Sequence, residues 1–210
     1  MSKKTADFFD GYAHDFNAIY GGDNGVFAGL INRLFRKSMR LRYQKTIEGC
    51  QPAGRKTALD IGCGPGHYGI VLAKQGLQSY TGIDFAPGMI ALAEKSAHES
   101  DVADICRFIV GDFMAQEFDE SFDYIIAMGF FDYIAEPREV IDKALKFTRM
   151  KAFFSFPASG GILAWQRTLR YKSRCDLFLY SRNDLEKLFA GCGDVSIEKI
   201  ARDYFVTVIK

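Results

Sequence analysis

Several patterns are missing from this sequence of 210 residues. The five cysteines are odd in number and include no Cys-x-x-Cys pair, which argues against a disulfide framework and against a zinc site. No apolar run approaches the length of a membrane-spanning helix, and the N-terminal segment has no apolar core followed by a small-residue cleavage site. We therefore expect a soluble, cytoplasmic protein with reduced thiols, no bound metal and no transmembrane segment.

The sequence also lacks an excess of charge of either sign. Its 27 Lys and Arg against 26 Asp and Glu leave a formal net charge of +1. Affinity for nucleic acid would have to come from a local patch, so no nucleic-acid partner is expected. A hydrophobic content of 48% is enough for one buried core, and the length suits a single folding unit, either a monomer or a homodimer.

The most informative stretch is a short apolar run, residues 57–61, that breaks into the alternating glycines Gly62, Gly64 and Gly66. The run is too short for a helix, and glycine allows a backbone to approach a ligand closely and to adopt positive φ. The pattern predicts a strand, a tight loop and a helix. Such a loop is typical of a site for a nucleotide-like cofactor.

From this stretch onward, apolar strands alternate with amphipathic helices. We predict strands over 57–61, 79–83, 106–110, 122–127, 151–156, 194–200 and 203–209, and helices over 66–75, 87–99, 137–148 and 181–190. The alternation predicts an α/β protein with a parallel sheet and helices on both faces. In such a sheet, ligands bind beyond the carboxyl ends of the strands.

Three aspartates stand at the ends of three successive predicted strands: Asp60, Asp84 and Asp112. Asp84 is well placed to accept hydrogen bonds from ribose hydroxyls, and Asp112 can accept from an exocyclic amine, with Phe113 or Met89 against a base. Asp60 can fix the backbone amides of the loop or meet an ammonium group. Each aspartate alone would more often be a cap or turn residue, but the three together favour a binding site.

The residues after the second glycine of the loop argue against a dinucleotide cofactor. A dinucleotide fingerprint places a third glycine where this chain has His67. The pattern Asp-x-Gly-x-Gly-x-Gly over residues 60–66 instead resembles the first motif of the class I S-adenosylmethionine-dependent methyltransferases. Residues 81–93, 110–113 and 122–129 are similar to later motifs of that family, so the resemblance covers roughly residues 57–156.

The resemblance implies a Rossmann-like fold, a cofactor and a set of cofactor-binding residues. The implied sheet has seven mostly parallel strands in the order 3-2-1-4-5-7-6, with strand 7 antiparallel and an N-terminal helical cover. The implied cofactor is S-adenosyl-L-methionine, with S-adenosyl-L-homocysteine as product. The cofactor-binding residues would be Asp60, Gly62, Cys63, Gly64, Gly66, Asp84, Phe85, Met89, Asp112, Phe113, Met128, Tyr12 and Tyr20.

Within this set, the resemblance implies a place for each part of the cofactor. Residues 62–64 would approach the methionine part, Asp84 would hold the ribose, and Asp112 with Phe113 would frame the adenine. Met128 would lie near the sulfonium methyl group. Tyr12 and Tyr20 belong to an aromatic N-terminal helix that would form part of the cover.

The chain divides into a predicted helical cover, residues 1–52, and a predicted methyltransferase core, residues 53–210, within one folding unit. Six Lys and Arg residues in positions 33–45 of the cover could bind an anion or a membrane surface, although such a run is more often the solvated face of a helix. Residues 157–182 are long for a connection and are predicted to be an acceptor-site insertion. They also resemble, faintly, the magnesium-protoporphyrin O-methyltransferases.

The insertion holds candidate residues for an anionic or aromatic methyl acceptor. These are Trp165, Arg167, Arg170 and Tyr171, because arginine binds carboxylates and the aromatic rings offer flat apolar faces. The alternative is an exposed basic helix whose Trp and Leu residues pack inward.

Methyl transfer from a sulfonium is an in-line displacement that expels a neutral thioether, so positioning and desolvation are the main catalytic tasks. A base is needed only where the acceptor must lose a proton. The candidate catalytic residues are His67, Asp132 and Tyr133. The alternatives are that His67 caps or packs, and that Asp132 caps the helix that Pro137 begins.

We therefore predict methyl transfer to a small-molecule acceptor at oxygen, nitrogen or carbon. One alternative is an RNA or protein methyltransferase, which the near-neutral charge disfavours, as does Met128-Gly129-Phe130-Phe131 where such enzymes carry Asn/Asp-Pro-Pro-Tyr. The other is a cofactor-binding regulator or partner subunit without catalytic activity.

Overall fold

The computed structural model describes residues 26–52, 54–160 and 177–210, and the side chains from residue 37 onward within these ranges. The helices are α1 (Val26–Cys50), α2 (His67–Lys74), α3 (Pro87–Glu99), α4 (Pro137–Lys146) and α5 (Arg182–Leu188), with a 3-10 turn at Phe131–Tyr133. The strands are β1 (Thr57–Ile61), β2 (Ser79–Asp84), β3 (Cys106–Val110), β4 (Phe122–Ala127), β5 (Thr148–Pro157), β6 (Asp194–Ile200) and β7 (Asp203–Ile209). No helix in these described ranges is long and apolar enough to cross a membrane.

The seven strands form one sheet in the order β3-β2-β1-β4-β5-β7-β6, which confirms the predicted topology. The pairs among β1 to β5 are parallel, and β7 runs antiparallel to both β5 and β6. The chain moves from β1 outward to β3 on one side and then to β4 on the other. This reversal opens a crevice at the carboxyl ends of β1 and β4, where ligands bind in such sheets.

The central strands are buried on both faces because helices cover each side of the sheet. Neighbouring residues of β1 divide between the two cores: Leu59 packs with Ile141 of α4 and Leu185 of α5, and Ala58 packs with Leu72 of α2 and Ala97 of α3. Successive side chains of a strand point to opposite faces. The nearly continuous apolar runs of the sequence are the result of this double burial.

The predicted elements are confirmed, and five of them, α2, β2, α4, β5 and α5, have bounds that differ from the predicted ones by one to three residues. Strand β5 begins at Thr148, earlier than the predicted residue 151, and helix α4 ends at Lys146 instead of 148. Pairing between Thr148 and Phe122 of β4 accounts for both shifts, since it draws this segment into the sheet. Helix α5 is shorter than predicted at both ends and begins after Ser181, whose side chain forms a capping box with Asp184.

Candidate active site

A cleft with two arms lies at the carboxyl ends of the strands. The β3 arm has a volume of about 350 Å³ and is bounded by the ends of β2 and β3 and by the start of α4. The α1 arm has a volume of about 710 Å³ and is bounded by α1, the glycine loop and the end of β4. The two arms form one cleft because five residues line both: Gly62, Asp84, Phe85, Phe130 and Tyr133.

The glycine loop folds tightly over the end of β2. Gly62, Gly64 and Gly66 all have positive φ, between 51° and 75°, a region that favours glycine. The amides of Gly62 and Cys63 both donate to the carbonyl of Ile83, at 2.8 and 3.1 Å. A Cβ on Gly62 would lie 2.8 Å from the Phe130 ring, whereas one on Gly64 would meet nothing within 4 Å. The backbone at Gly64 therefore faces open space in the cleft.

Gly66 has a different place from the one predicted for it. A Cβ at this position would lie 2.9 Å from the Phe108 ring and 3.1 Å from Cβ of Ala93. Its absence lets α2 begin close to the sheet and to α3. Gly66 lines neither arm of the cleft, so the structure gives it a packing role in place of the predicted contact with a cofactor.

Asp84 holds the glycine loop in position. One carboxylate oxygen accepts from the amide of Gly64 and the other from the amide of Ala86, each at 2.9 Å. Burial raises the pKa of Asp84, and these backbone amides oppose that rise. A carboxylate has about four lone-pair sites, so Asp84, which lines both arms, can still accept hydrogen bonds from a ligand.

Asp60 is buried beneath the loop and lines neither arm. Its carboxylate accepts from the hydroxyl of Tyr80 at 2.7 Å. The pKa of Asp60 is raised to about 7 mainly by burial, with a smaller contribution from the charge of Asp84, while the hydrogen bond from Tyr80 opposes the rise. The predicted bond to the loop amides is formed by Asp84 instead, and the predicted contact between Asp60 and an ammonium group is not supported by this buried position.

Cys63 lines the α1 arm, although the residue is only 6% exposed. Its Sγ is 3.6 Å from the carbonyl oxygen of Gly64. Burial and the nearby carboxylates of Asp60 and Asp84 raise the pKa of this thiol far above its ordinary value. Cys63 is therefore a neutral thiol and a weak nucleophile.

The β3 arm brings together two of the predicted adenine-side residues, Asp112 and Phe113, whereas Met89 lines the α1 arm. Asp112 is exposed, and its carboxylate accepts from the amide of Met114 at 2.9 Å. Phe113 is almost fully buried and packs against Phe118, with ring centroids 6.1 Å apart. Phe85 lies between the two arms and lines both of them. The arm thus offers a carboxylate beside apolar walls, which suits a planar base that carries an amine.

The α1 arm contains a hydrogen-bond network that the sequence did not reveal. The amide of Gly129, at φ 73°, donates to the hydroxyl of Ser155 at 2.8 Å. Arg42 donates to the same hydroxyl at 3.2 Å, and its Nε lies 3.7 Å from the carboxylate of Asp203. Met128, which was predicted near the sulfonium methyl, lines this arm beside Gly129. In the sequence Arg42 was one of six cations on a helix, and no local signal distinguished it.

The three catalytic candidates occupy different positions. Tyr133 lines both arms and His67 lines the α1 arm. Desolvation lowers the pKa of His67, so its imidazole is neutral at pH 7 and can accept a proton. Asp132 is 5% exposed and lines neither arm. The cap position of α4 is Glu136, so the alternative that Asp132 caps this helix is wrong.

Six of the predicted site residues lie outside the described residues: Tyr12, Tyr20, Trp165, Arg167, Arg170 and Tyr171. The structure describes the chain again from residue 177, and this part of the chain reaches the cleft. Phe178 lines the β3 arm, and its amide donates to the carbonyl of Asp132 at 2.9 Å. Tyr180 is bonded through its amide to the carbonyl of Pro157 at 2.9 Å. The C-terminal end of the predicted insertion is therefore anchored beside the site.

A family profile described as a methyltransferase domain matches residues 53–165, and the chain belongs to that family. The predicted class, a class I S-adenosylmethionine-dependent methyltransferase, is thereby confirmed.

Curated relatives carry the name ubiquinone biosynthesis O-methyltransferase. The protein from Pseudomonas paraeruginosa (strain DSM 24068 / PA7) is 36% identical over 86 residues, which are 41% of this chain and 37% of the relative. The protein from Pseudomonas fluorescens (strain Pf0-1) is 31% identical over 117 residues, 55% of this chain and 50% of the relative. The match to this chain thus spans half or less of the length of these relatives.

Solved structures share the whole fold at low sequence identity. Magnesium protoporphyrin IX methyltransferase from Synechocystis PCC 6803 with bound S-adenosylhomocysteine superposes with a TM-score of 0.74 at 17% identity, over 98% of each chain. The same enzyme with bound S-adenosylmethionine gives a TM-score of 0.73 at 18% identity, over 100% of this chain and 98% of that one. Likeness at these identities establishes the shared architecture.

Proposed function

We propose that the chain transfers the methyl group of S-adenosylmethionine to an oxygen atom of a small-molecule acceptor. The observation that carries this proposal is the cleft with two arms that meet at Asp84 and Tyr133. One arm suits the nucleoside of the cofactor, and the larger arm leaves room for an acceptor. When bound, the cofactor supplies an electrophilic methyl group and leaves as the neutral thioether S-adenosylhomocysteine.

The residues of the cleft fit the parts of this cofactor. Asp112 and the apolar walls of the β3 arm would hold the adenine, and Asp84 would accept from the ribose hydroxyls. Open space above Gly64 lets the methionine part lie against the loop backbone. Arg42 lines the α1 arm, and a guanidinium has five N–H donors, so it can bind an anionic group of the acceptor while it remains bonded to Ser155.

The walls of the α1 arm support a proposal for the class of acceptor. Its walls include Met39, Tyr43 and Tyr68, and the rings of the two tyrosines lie 5.4 Å apart. Arg40 adds a positive charge at this wall. These features suit an aromatic molecule that carries a negative group. The name O-methyltransferase borne by the relatives supports oxygen as the accepting atom.

The chain's own residues would position the acceptor, exclude water and remove its proton. Tyr133, at the junction of the arms, is placed to orient the acceptor hydroxyl towards the methyl group. His67, neutral at pH 7, is placed to take the proton that a hydroxyl must lose. In this proposal residues 1–52 form a cover over the core at 53–210, and residues 157–182 complete the acceptor site.

The test is to incubate the protein with S-adenosylmethionine and a panel of phenols, carboxylates and amines, and to measure release of S-adenosylhomocysteine with the mass of the product. We expect release with oxygen acceptors, and foremost with phenols that carry a carboxylate. Release with amines alone would contradict the choice of oxygen. Tight binding of S-adenosylhomocysteine without turnover on any acceptor would instead support a regulator or partner subunit.

A further inference from the structure

The ammonium group of Lys143 connects helix α4 to the turn after β3 through hydrogen bonds. Nζ of Lys143 donates to the carbonyl of Met114 at 2.9 Å and to the carbonyl of Gln116 at 2.7 Å. It also lies 5.2 Å from the centroid of the Phe113 ring. Lys143 therefore makes three contacts with a turn of five residues, 112–116.

This turn forms one wall of the β3 arm, and α4 forms the wall opposite. Asp112, Phe113 and Met114 line the arm from the turn, while Glu139 and Val140 line it from α4. Because Lys143 lies one turn further along the same helix as Glu139 and Val140, its bonds set the distance between the two walls.

The hydrogen bonds within the turn fix its shape, and Phe113 and Lys143 connect it to the rest of the protein. The carbonyl of Asp112 accepts from the amides of Ala115 and Gln116, each at 3.0 Å, and the Asp112 side chain accepts from the amide of Met114. These bonds lie within the turn. Lys143 supplies charge-assisted bonds from outside it, and such bonds are stronger than those between neutral groups.

We propose that Lys143 is a positioning residue that holds the turn 112–116 so that Asp112 faces the amine of a bound adenine. The proposal rests on the proposed function, since it assumes that the β3 arm takes the nucleoside of S-adenosylmethionine. Lys143 acts through Asp112 and does not itself line the arm. Lys143 therefore affects the affinity for the adenine nucleoside. It also affects the preference for adenine over a base that has a carbonyl in place of the amine.

Lys146 offers a matched control on the same helix. Its Nζ also lies over an aromatic ring, 5.6 Å from the centroid of Phe147. Phe147 belongs to the core and lines neither arm. A change at Lys146 thus removes the same charge and a similar cation–π contact without loosening the wall of the arm.

The experiment measures calorimetric dissociation constants of S-adenosylhomocysteine and its 6-oxo analogue, S-inosylhomocysteine, for the wild type, Lys143→Met, Lys146→Met and Lys143→Arg. For Lys143→Met we expect about tenfold weaker binding of S-adenosylhomocysteine and a smaller preference over the 6-oxo analogue. Lys146→Met should match the wild type within about twofold, and Lys143→Arg should recover most of the affinity, because arginine can donate to the same two carbonyls.

Two results would overturn the positioning role. One is a Lys143→Met protein that matches Lys146→Met in affinity and preference. The other is equal weakening of both ligands, which would indicate a general structural defect. A wild-type protein that binds neither ligand would refute the proposed cofactor site itself, and with it the role of Lys143, so the two failures are distinguishable.

Discussion

The two arms of the cleft differ in how the chain builds them. The β3 arm is lined by residues that directly follow β2 and β3 and by the first turns of α4. The α1 arm depends on contacts between distant parts of the chain, such as the bond from Arg42 to Ser155, which are 113 positions apart. The difference explains why the glycine loop and the residues after β2 and β3 matched local sequence motifs, whereas the pair Arg42 and Ser155 did not.

The arms also differ in charge. The side chains of the α1 arm include Arg40 and Arg42, whereas Asp112, Glu136 and Glu139 line the β3 arm. Asp84 stands between them and lines both. This asymmetry suits a nucleoside with an exocyclic amine on one side and an anionic acceptor on the other, and the predictions below test the two sides separately.

The largest effect is expected for Asp84→Ala, because this residue serves both arms. The change removes the acceptor for the amides of Gly64 and Ala86 and the proposed acceptor for the ribose. Affinity for S-adenosylhomocysteine should fall by about 2–3 kcal/mol, measured by calorimetry. Asp142→Ala, which removes an exposed partner of Arg138, is the control. An unchanged affinity for Asp84→Ala would refute the role of the carboxylate at the junction.

The second largest effect is expected for Gly62→Ala, because Gly62 packs against Phe130 where the two arms of the cleft meet. In Gly62→Ala the added Cβ would lie 2.8 Å from the Phe130 ring at a φ of 71°. The free energy of unfolding, from urea titration, should fall by about 2 kcal/mol through strain and overpacking. Gly54→Ala carries the strain of φ 89° with nothing within 4 Å of the added atom. Equal losses for the two variants would mean that packing against Phe130 does not matter.

A pH-dependent effect is expected from Asp60, which lies beneath the loop. Its pKa in the folded protein is raised from 3.8 to about 7, so the folded state binds the proton more tightly than the unfolded state does. Protonated Asp60 therefore adds to the free energy of unfolding. This contribution is present in full below pH 3.8 and is lost as the pH rises through 7.

This linkage is tested with Asp60→Asn, whose amide oxygen can still accept from Tyr80. Between pH 5 and pH 8 the wild type should lose about 1–2 kcal/mol more unfolding free energy than Asp60→Asn does. Urea titrations at both pH values provide the measurement. Parallel losses in the two proteins would show that Asp60 titrates normally.

The smallest effect is expected from Ser155→Ala, which isolates the α1 arm. The loss of its hydroxyl frees the amide of Gly129 and one hydrogen bond of Arg42. We expect kcat to fall about fivefold, about 1 kcal/mol, with little change in the dissociation constant of S-adenosylhomocysteine. Thr148→Val, on the same strand but bonded to Ala144, serves as the matched control. A fall in the affinity for S-adenosylhomocysteine without a fall in kcat would contradict the assignment of the α1 arm to the acceptor.

Much of the fold could be read from the sequence because its signals are local. The strands β1, β3, β4, β6 and β7 and helix α3 have the predicted bounds, since apolar runs, flanking glycines and Pro87 act within a few residues. β5 could not be bounded in this way. Its first residue, Thr148, enters the sheet through pairing with Phe122 of β4, which is a non-local interaction.

The predicted site residues show the same division. Gly62, Gly64, Asp84 and Asp112 lie on the cleft, as expected of residues at the ends of adjacent parallel strands. Asp60 and Gly66 belong to the same motif but line neither arm. Residue type and spacing predicted the loop, and they did not distinguish the residues that face a ligand from those that support the backbone.

The sequence by itself determined the order of elements, the glycine loop and the carboxylates at the strand ends, because short-range sterics and strand periodicity decide these features. Only the tertiary structure decided which of those carboxylates face the cleft. It also brought Arg42 to Ser155 and Lys143 to the turn after β3, since these contacts depend on how helices pack across the finished sheet.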